Sequence, residues 1–299
     1  MQLKLKAPTK INLVLRVLGR RSNGYHDLLM LNEKLNLCDE IEIEVRGQKS
    51  EVGHQVVVTC DDPNVPCDET NLCYKAAKAI LNETSADLNT QTLKHLNTIN
   101  IHIKKRIPVA AGLGGGSSDA AATLKGLNEL LELSLSRASL ASLGVKLGAD
   151  VPFFLCDGPA VCEGIGGKIA TLDKLPNMWI LLINPGFPVS TKWVYEEFDK
   201  MASLQLTQAS RNVNGLPRFF KGLEEVAKVV HNDLEMVTAS KYPEIKRIEK
   251  MLMDSGAVAS WMSGSGPTVV GMFNCEKTRD DAFEKLNRPE WRVIKTANC

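Results

Sequence analysis

The stretch RIPVAAGLGGGSSDAA, residues 106–121, constrains this chain more than any other. Four of the five residues from 112 to 116 are glycine. The run follows TINIHIKKRIP (98–108), where Ile99, Ile101 and Ile103 alternate with polar residues, and such a period of two predicts a strand. It opens onto SSDAAATLKGLNELLEL (117–133), where Leu124, Leu127, Leu130 and Leu131 share one helical face. The glycines therefore stand at a strand-to-helix turn. Glycine takes φ > 0 without strain and lets a ligand approach the main chain. A helix N-terminus adds unpaired N–H groups and the positive end of the helix dipole. The combination predicts an anion cradle, and specifically a phosphate site. Ser117 and Ser118 supply hydroxyl donors, and either is expected to cap the helix.

The better-known phosphate loops do not fit. The P-loop requires G-x-x-x-x-G-K-[ST], and the chain contains no Gly-Lys-Ser or Gly-Lys-Thr. The dinucleotide fingerprint G-x-G-x-x-G starts at Gly112 and Gly114 but meets Ser117 where its third glycine belongs. The H-R-D and D-F-G segments of protein kinases are absent.

The remaining pattern predicts an α+β chain. Strands are expected over the first 20 residues, broken by a turn at Pro8, over EIEIEV (40–45) and over HQVVVTC (54–60). A helix is expected over NLCYKAAKAILNE (71–83), a loop over 84–98, and a helix over 136–150 capped by Ser136 and closed near Gly148. This is not a clean βαβ alternation, which argues against a doubly wound sheet. Around DGPAVCEG the pattern changes. A short β segment (VCEGIGGKIATL), a buried strand (WILLINPG) and the amphipathic helix YPEIKRIEKMLMDSG (242–256) follow, the helix with Pro243 near its first position. VASWMSGSGPTVVGMF (258–273) reads as two strands joined by a second glycine-serine loop. A length of 299 residues suits two domains.

Charge narrows the partners. With 36 basic and 35 acidic residues, net +1, the chain has no bulk attraction for nucleic acid or anionic membrane. The opening MQLKLKAPTK lacks the apolar stretch of a secretion leader, and the eight cysteines show no C-x-x-C pair. These features predict free thiols, a cytoplasmic location and no metal site built from the protein.

PVAAGLGGGSSDAA (108–121) resembles the second motif of the GHMP kinases, the family of galactokinase, homoserine kinase, mevalonate kinase and phosphomevalonate kinase. Further stretches are similar to the same family in the same order: APTKINLVLRVLGRRSNGYHDL (7–28), LGADVPFFL (147–155), HNDLE (231–235) and MSGSGPTVVGMF (262–273). The opening stretch resembles the branch that phosphorylates a cytidine diphosphate conjugate of methylerythritol. The family usually has Ala where Thr9 stands, while Lys10 and Asn12 keep their places.

The resemblance implies a two-domain GHMP kinase fold. An N-terminal ATP-binding domain over 1–158 would resemble the second domain of ribosomal protein S5, and a C-terminal domain over 159–299 would be α/β-plait-like. It implies transfer of the ATP γ-phosphoryl group to the 2-hydroxyl of that conjugate, a step of the non-mevalonate route to isoprenoid precursors. Another small-molecule kinase of the family, of homoserine or mevalonate type, is the alternative. Mg²⁺ would arrive with ATP. No nucleic acid or membrane partner is expected, and the chain would be a monomer or weak homodimer.

Site residues carry over by motif. Asp150 is implied as general base and Lys10 as its cation. Phosphates would lie along Pro108, Val109, Ala110, Ala111, Gly112, Leu113, Gly114, Gly115 and Gly116 to Ser117 and Ser118, with Asn71 and Lys105 flanking adenine. Tyr25 would stack on cytosine and His26 would read its edge. Tyr195 would form a second wall, with Trp193 and Phe187 as rivals. Asn12 and Thr191 would touch substrate, and Ile165 would line the base pocket. Taken without the resemblance, Asp150 and Asn71 read as helix caps, Lys10 and Lys105 as solvated charges, and Tyr25-His26 as a half-buried turn. The second glycine loop, Gly264-Ser265-Gly266, reads as a hairpin turn that could also contact phosphate or buttress the first loop.

Overall fold

A computed structural model describes residues 1–47, 55–87, 96–204, 216–217 and 219–299. The chain divides into two units: Met1–Thr9, Leu37–Val109 and Gly114–Asp157 form the first, and Lys10–Asn36, Ala110–Leu113 and Gly158–Cys299 the second. Two long strands, β1 (Gln2–Arg20) and β2 (His26–Gly47), contribute residues to both.

β1 runs straight through Pro8 where a turn was expected. Proline's fixed φ suits an extended chain and removes only one donor, which an edge tolerates. Among the described residues, β1 is paired on the side away from β2 only at Val14 and Leu15, by β8 (His231–Asn232).

In the first unit β2 pairs antiparallel with β4 (Leu96–Lys104), and β3 (Gln55–Cys60) lies parallel to β4. The register sets Ile41 opposite Ile103 and Ile43 opposite Ile101, and all four are buried. Each such side chain contributes about 1.5–3 kcal/mol by leaving water. The helices of this unit are α1 (Leu72–Asp87), α2 (Gly115–Leu130), α3 (Arg137–Leu147) and α4 (Val151–Leu155). Of the loop expected over 84–98, residues 88–95 lie outside the described part, as does His54. A β-carbon at Gly126 would sit 2.6 Å from Ile43 Cδ1 and 2.8 Å from Leu5 Cδ1. That close approach seats α2 on the strands and fixes the helix that the glycine run enters. α3 carries the expected cap, with Ser136 Oγ accepting from Ser139 N at 3.1 Å.

In the second unit the segment read as one short β element is a hairpin, β5 (Ala160–Gly164) and β6 (Lys168–Thr171), with β5 paired to the start of β2. β7 (Trp179–Asn184), β9 (Ala259–Met262), β10 (Val269–Phe273) and β11 (Arg292–Ala297) form an antiparallel sheet in the order β11-β7-β10-β9. That order is the strand arrangement of an α/β plait. Helices α5 (Thr191–Leu204), α6 (Leu223–Val229) and α7 (Glu235–Lys241) precede α8 (Glu244–Asp254), and α9 (Glu276–Leu286) follows β10. Ile245, Ile248 and Leu252 of α8 and Ala282 and Leu286 of α9 close a core against Leu181, Ile183, Val269 and Phe273. Pro243 stands at the N-cap of α8.

Candidate active site

The glycine run is strained where it should be. Ala110 (φ 52), Gly112 (φ 74) and Gly114 (φ 70) are left-handed, a conformation costing a residue with a β-carbon roughly 1–2 kcal/mol. α2 starts at Gly115 with Gly114 at the N-cap and no side-chain cap, so Ser117 and Ser118 lie within the first turn and do not cap it. The correction follows from glycine's freedom: the helix is capped at Gly114, three residues before Ser117 and four before Ser118. Ser118 N already bonds Gly114 O at 3.0 Å, and helix geometry leaves the N–H groups of Gly115, Gly116 and Ser117 without an intrahelical acceptor. Ser118 Oγ is buried with no hydrogen-bond partner among the described residues. N–H groups without an intrahelical acceptor and an orphaned hydroxyl at a helix start fit a phosphate. Pro108 and Ala111 are buried, Leu113 anchors the turn in the core, and Val109 is exposed.

Lys105 is not a solvated strand-end charge. Its ammonium is buried between Asp39 Oδ2 and Asp119 Oδ2, both at 2.6 Å. Asp39 Oδ1 also accepts from Arg106 N at 2.5 Å and Ile107 N at 2.9 Å. Burial pulls the Lys105 pKa down, but the charges of Asp119 and Asp39 carry it above the usual lysine value. Burial pushes the Asp119 carboxyl up to about 7, with Lys105 opposing and Asp39 adding to the rise. Sequence reasoning missed both aspartates, because nothing in the spacing of residues 39, 105 and 119 pairs them. Asn71 is the N-cap of α1: its Oδ1 accepts from Cys73 N at 2.7 Å, and its Nδ2 donates to Pro66 O at 2.6 Å. Asp150 stands at the N-cap position of α4, half-buried, yet its side chain makes no cap hydrogen bond.

In the second unit Lys10 is buried on β1. Its Nζ donates to Asn12 Oδ1 at 2.6 Å, and its main-chain N donates to Leu113 O at 3.1 Å, tying the strand to the glycine run. Asn12 Nδ2 donates to Asn32 Oδ1 at 2.7 Å, so Lys10, Asn12 and Asn32 form one buried polar line. The second glycine loop is a hairpin turn between β9 and β10, and it buttresses the first. Ser263 Oγ donates to Gly112 O at 3.2 Å, and a β-carbon at Gly112 would fall 2.2 Å from Ser263 O. HNDLE holds that hairpin: Asn232 Nδ2 donates to Met262 O at 2.7 Å and Gly264 O at 2.8 Å, while Glu235 Oε2 accepts from Met262 N at 2.9 Å.

The GYHD segment meets α5. The His26 ring stacks on Tyr195 with centroids 4.7 Å apart, whereas Phe187 and Trp193 pack on Tyr242. Tyr25 is 65 % exposed. Ile165 is half-buried in the β5–β6 turn, next to Gly164, which pairs with Leu28. Thr191 Oγ1 lies 2.8 Å from Ser265 Oγ at the start of α5. His26 Nε2 is 2.8 Å from Asp199 Oδ1. Asp199 was not foreseen, although Thr191, Tyr195 and Asp199 recur at every fourth residue and so share one helix face.

Comparison with known proteins now identifies the family. The model for the GHMP kinases N terminal domain matches residues 71–158, and that for the GHMP kinases C terminal matches 216–290. This chain belongs to the GHMP kinases. As a GHMP kinase it is an ATP-using phosphotransferase that acts on an alcohol. It is 46 % identical to a 4-diphosphocytidyl-2-C-methyl-D-erythritol kinase of Geobacter metallireducens, over 98 % of this chain and 97 % of that one. A relative of the same name from Syntrophus aciditrophicus is 41 % identical, over 98 % of each. Among solved structures, a 4-(cytidine 5'-diphospho)-2C-methyl-D-erythritol kinase superposes with a TM-score of 0.77 at 29 % identity, covering 99 % of both chains. A homoserine kinase from Cytophaga hutchinsonii shares the fold, with a TM-score of 0.72 at 18 % identity over 100 % of this GHMP kinase and 94 % of that chain. Among the described residues no helix is long and apolar enough to cross a membrane.

Proposed function

We propose that this chain transfers the γ-phosphoryl group of ATP to the 2-hydroxyl of 4-diphosphocytidyl-2-C-methyl-D-erythritol, in the non-mevalonate route to isoprenoid precursors. The observation that carries this reading is 46 % identity along nearly the whole chain to kinases of that name. The homoserine or mevalonate alternative falls, because the neighbours of those names share the fold at only 18 % and 15 % identity.

Phosphoryl transfer depends on positioning and on charge neutralisation. In this reading residues 108–118 hold the ATP phosphates, supported by the uncapped first turn of α2 and by the orphaned Ser118 hydroxyl. Asn71 and Lys105 belong to the adenine end. Mg²⁺ enters on the phosphates, whose hard oxygens suit it, and when bound it neutralises their charge. Among the described residues no three His, Cys, Asp or Glu side chains gather to hold a metal. Asp150 takes the alcohol's proton and Lys10 offsets the developing charge. A half-buried Asp150 carboxylate at the start of α4, and a Lys10 ammonium oriented by Asn12, support those roles. Tyr25 and Tyr195 enclose the cytosine, His26 reads its edge, Ile165 lines the pocket, and Asn12 and Thr191 contact the rest of the substrate. The ATP-binding domain spans 1–158 and the C-terminal domain 159–299. The enzyme acts in the cytoplasm as a monomer or weak homodimer on small molecules alone, a view supported by its net charge of +1.

A coupled ADP-release assay with the cytidylyl substrate, homoserine and mevalonate tests the reading. Turnover is expected with the first alone. Asp150→Asn and Lys10→Ala should each lower kcat by about 10²–10⁴-fold while nucleotide still binds. Undiminished turnover in both variants would remove the mechanism.

A further inference from the structure

α5 presents Tyr195 and Asp199 one turn apart, and both engage His26. The Tyr195 ring lies 4.7 Å from the imidazole at an interplanar angle of 21°, and Asp199 Oδ1 lies 2.8 Å from Nε2. The second carboxylate oxygen of Asp199 is 3.2 Å from Arg20 Nη1. The His26 side chain is 8 % exposed, so its contacts are set by these neighbours more than by water. Among the described residues Nδ1 takes no hydrogen bond.

A carboxylate has lone pairs and no proton to give, so Nε2 must be the donor in this pair. A neutral imidazole carries one N–H. With that proton on Nε2, Nδ1 keeps a bare lone pair and can only accept. The two pyrimidines differ at the position such an acceptor reads: cytosine has an exocyclic amine that donates, and uracil has a carbonyl that accepts.

We propose that Asp199 is the residue that makes the site select cytosine over uracil. It does so by fixing His26 as the Nε2–H tautomer, which leaves Nδ1 to accept from the exocyclic amine. A uracil in the same pose would set two acceptors face to face. This inference rests on the reading that His26 meets the base. Asp199 does not touch the substrate; it is a positioning residue whose effect passes through the imidazole, and α5 aligns it with the ring that Tyr195 already flattens. An unpaired buried acceptor changes affinity by about 5- to 150-fold, and that is the discrimination expected of it.

The test compares kcat/KM for the cytidylyl substrate and its uridylyl analogue at about pH 8, above the ordinary imidazole range near 6.5. In Asp199→Asn the carboxamide can turn its NH₂ toward Nε2, which favours the proton on Nδ1. The cytidine-to-uridine preference should then fall by about 5- to 150-fold, with the loss for cytidine appearing in KM. Asp199→Glu, which keeps an acceptor, should restore much of the preference. Long-range ¹H–¹⁵N spectra, with the His26 signals assigned by their loss in His26→Ala, should show the proton on Nε2 in the parent chain and on Nδ1 in Asp199→Asn. An unchanged preference in Asp199→Asn, with His26→Ala losing it, would overturn the proposal and leave the cytosine reading intact. If His26→Ala also keeps both KM and preference, the reading of His26 fails and the proposal with it. An equal loss for both nucleotides in Asp199→Asn would mark Asp199 as merely structural and overturn the proposal. If that variant does not fold, the same ratio and spectra in Asp199→Ala decide, a retained preference with the proton still on Nε2 being the refuting result.

Discussion

Replacing Lys105 with methionine should unfold the chain in a pH-dependent way. The ammonium is 6 % exposed and lies 2.6 Å from each of two carboxylates that are themselves buried, at 0 % and 4 % exposure. Removing it leaves two negative charges with unequal support. Asp39 keeps two main-chain donors, Arg106 N and Ile107 N. Asp119 loses its ammonium partner at Oδ2, and its Oδ1 already has no hydrogen-bond partner among the described residues. Breaking a buried ion pair from one side costs about 3–5 kcal/mol. At about 2–4 °C per kcal/mol that is a fall of roughly 6–20 °C in Tm. The pH dependence follows from Asp119. Its carboxyl is raised by burial to about 7, against an ordinary value of about 3.9. Between those values the folded chain holds a proton that the unfolded chain has lost, so this group weakens the fold as pH climbs through that window. Without Lys105 the carboxyl moves higher still and the window widens upward. The loss in Lys105→Met should therefore be full at about pH 8 and shrink at about pH 5, where protonated Asp119 needs no counter-charge. Adding Asp119→Asn should recover several degrees at about pH 8 by removing the stranded charge. Thermal unfolding of the parent, single and double variants at both pH values measures this. An equal fall at both values, or a double variant no better than the single, would refute the reasoning.

Two further outcomes concern the glycine run. Gly112→Ala places a methyl group 2.2 Å from Ser263 O at a φ of 74°, so the loop must move; the strain should lower Tm by several degrees, and kcat/KM for ATP should fall at least about 10-fold in the ADP-release assay. Ser118→Ala removes a buried hydroxyl that has no hydrogen-bond partner among the described residues, so Tm should hold or rise by about 2–4 °C, while the KM for ATP rises about 10-fold; a fall in Tm with unchanged KM would contradict it.

The elements were legible where one periodicity held throughout. Ile99, Ile101 and Ile103 are buried on one strand face, and Ile245, Ile248 and Leu252 on one helix face, because a side chain's direction is fixed by its own backbone. Pro8 misled because tolerance of proline in a strand depends on whether its neighbour needs the missing donor, a property of the sheet. The motif residues were legible as a family pattern, but their partners were not. Asp39, Asp119, Asn32 and Asp199 come from segments up to 173 residues away from the groups they hold, and no local rule links them.

Those partners divide the site residues by what the fold does with their polar atoms. Asn71 directs its carbonyl to Cys73 and its amide to Pro66, and Lys105 directs two of its donors to Asp39 and Asp119. Groups satisfied in this way hold the start of α1 and the approach to α2, and they fix where the main chain lies. Ser118 Oγ and the first N–H groups of α2 are different: among the described residues the buried Ser118 hydroxyl has no hydrogen-bond partner, and helix geometry leaves those N–H groups without an intrahelical acceptor. A buried polar group left without a partner costs the fold about 1–3 kcal/mol, which selection against instability would remove unless a ligand completes the bond. The satisfied set should therefore respond to mutation chiefly through stability and the orphaned set chiefly through KM, so that Lys105→Met and Ser118→Ala, both near the start of α2, move different observables.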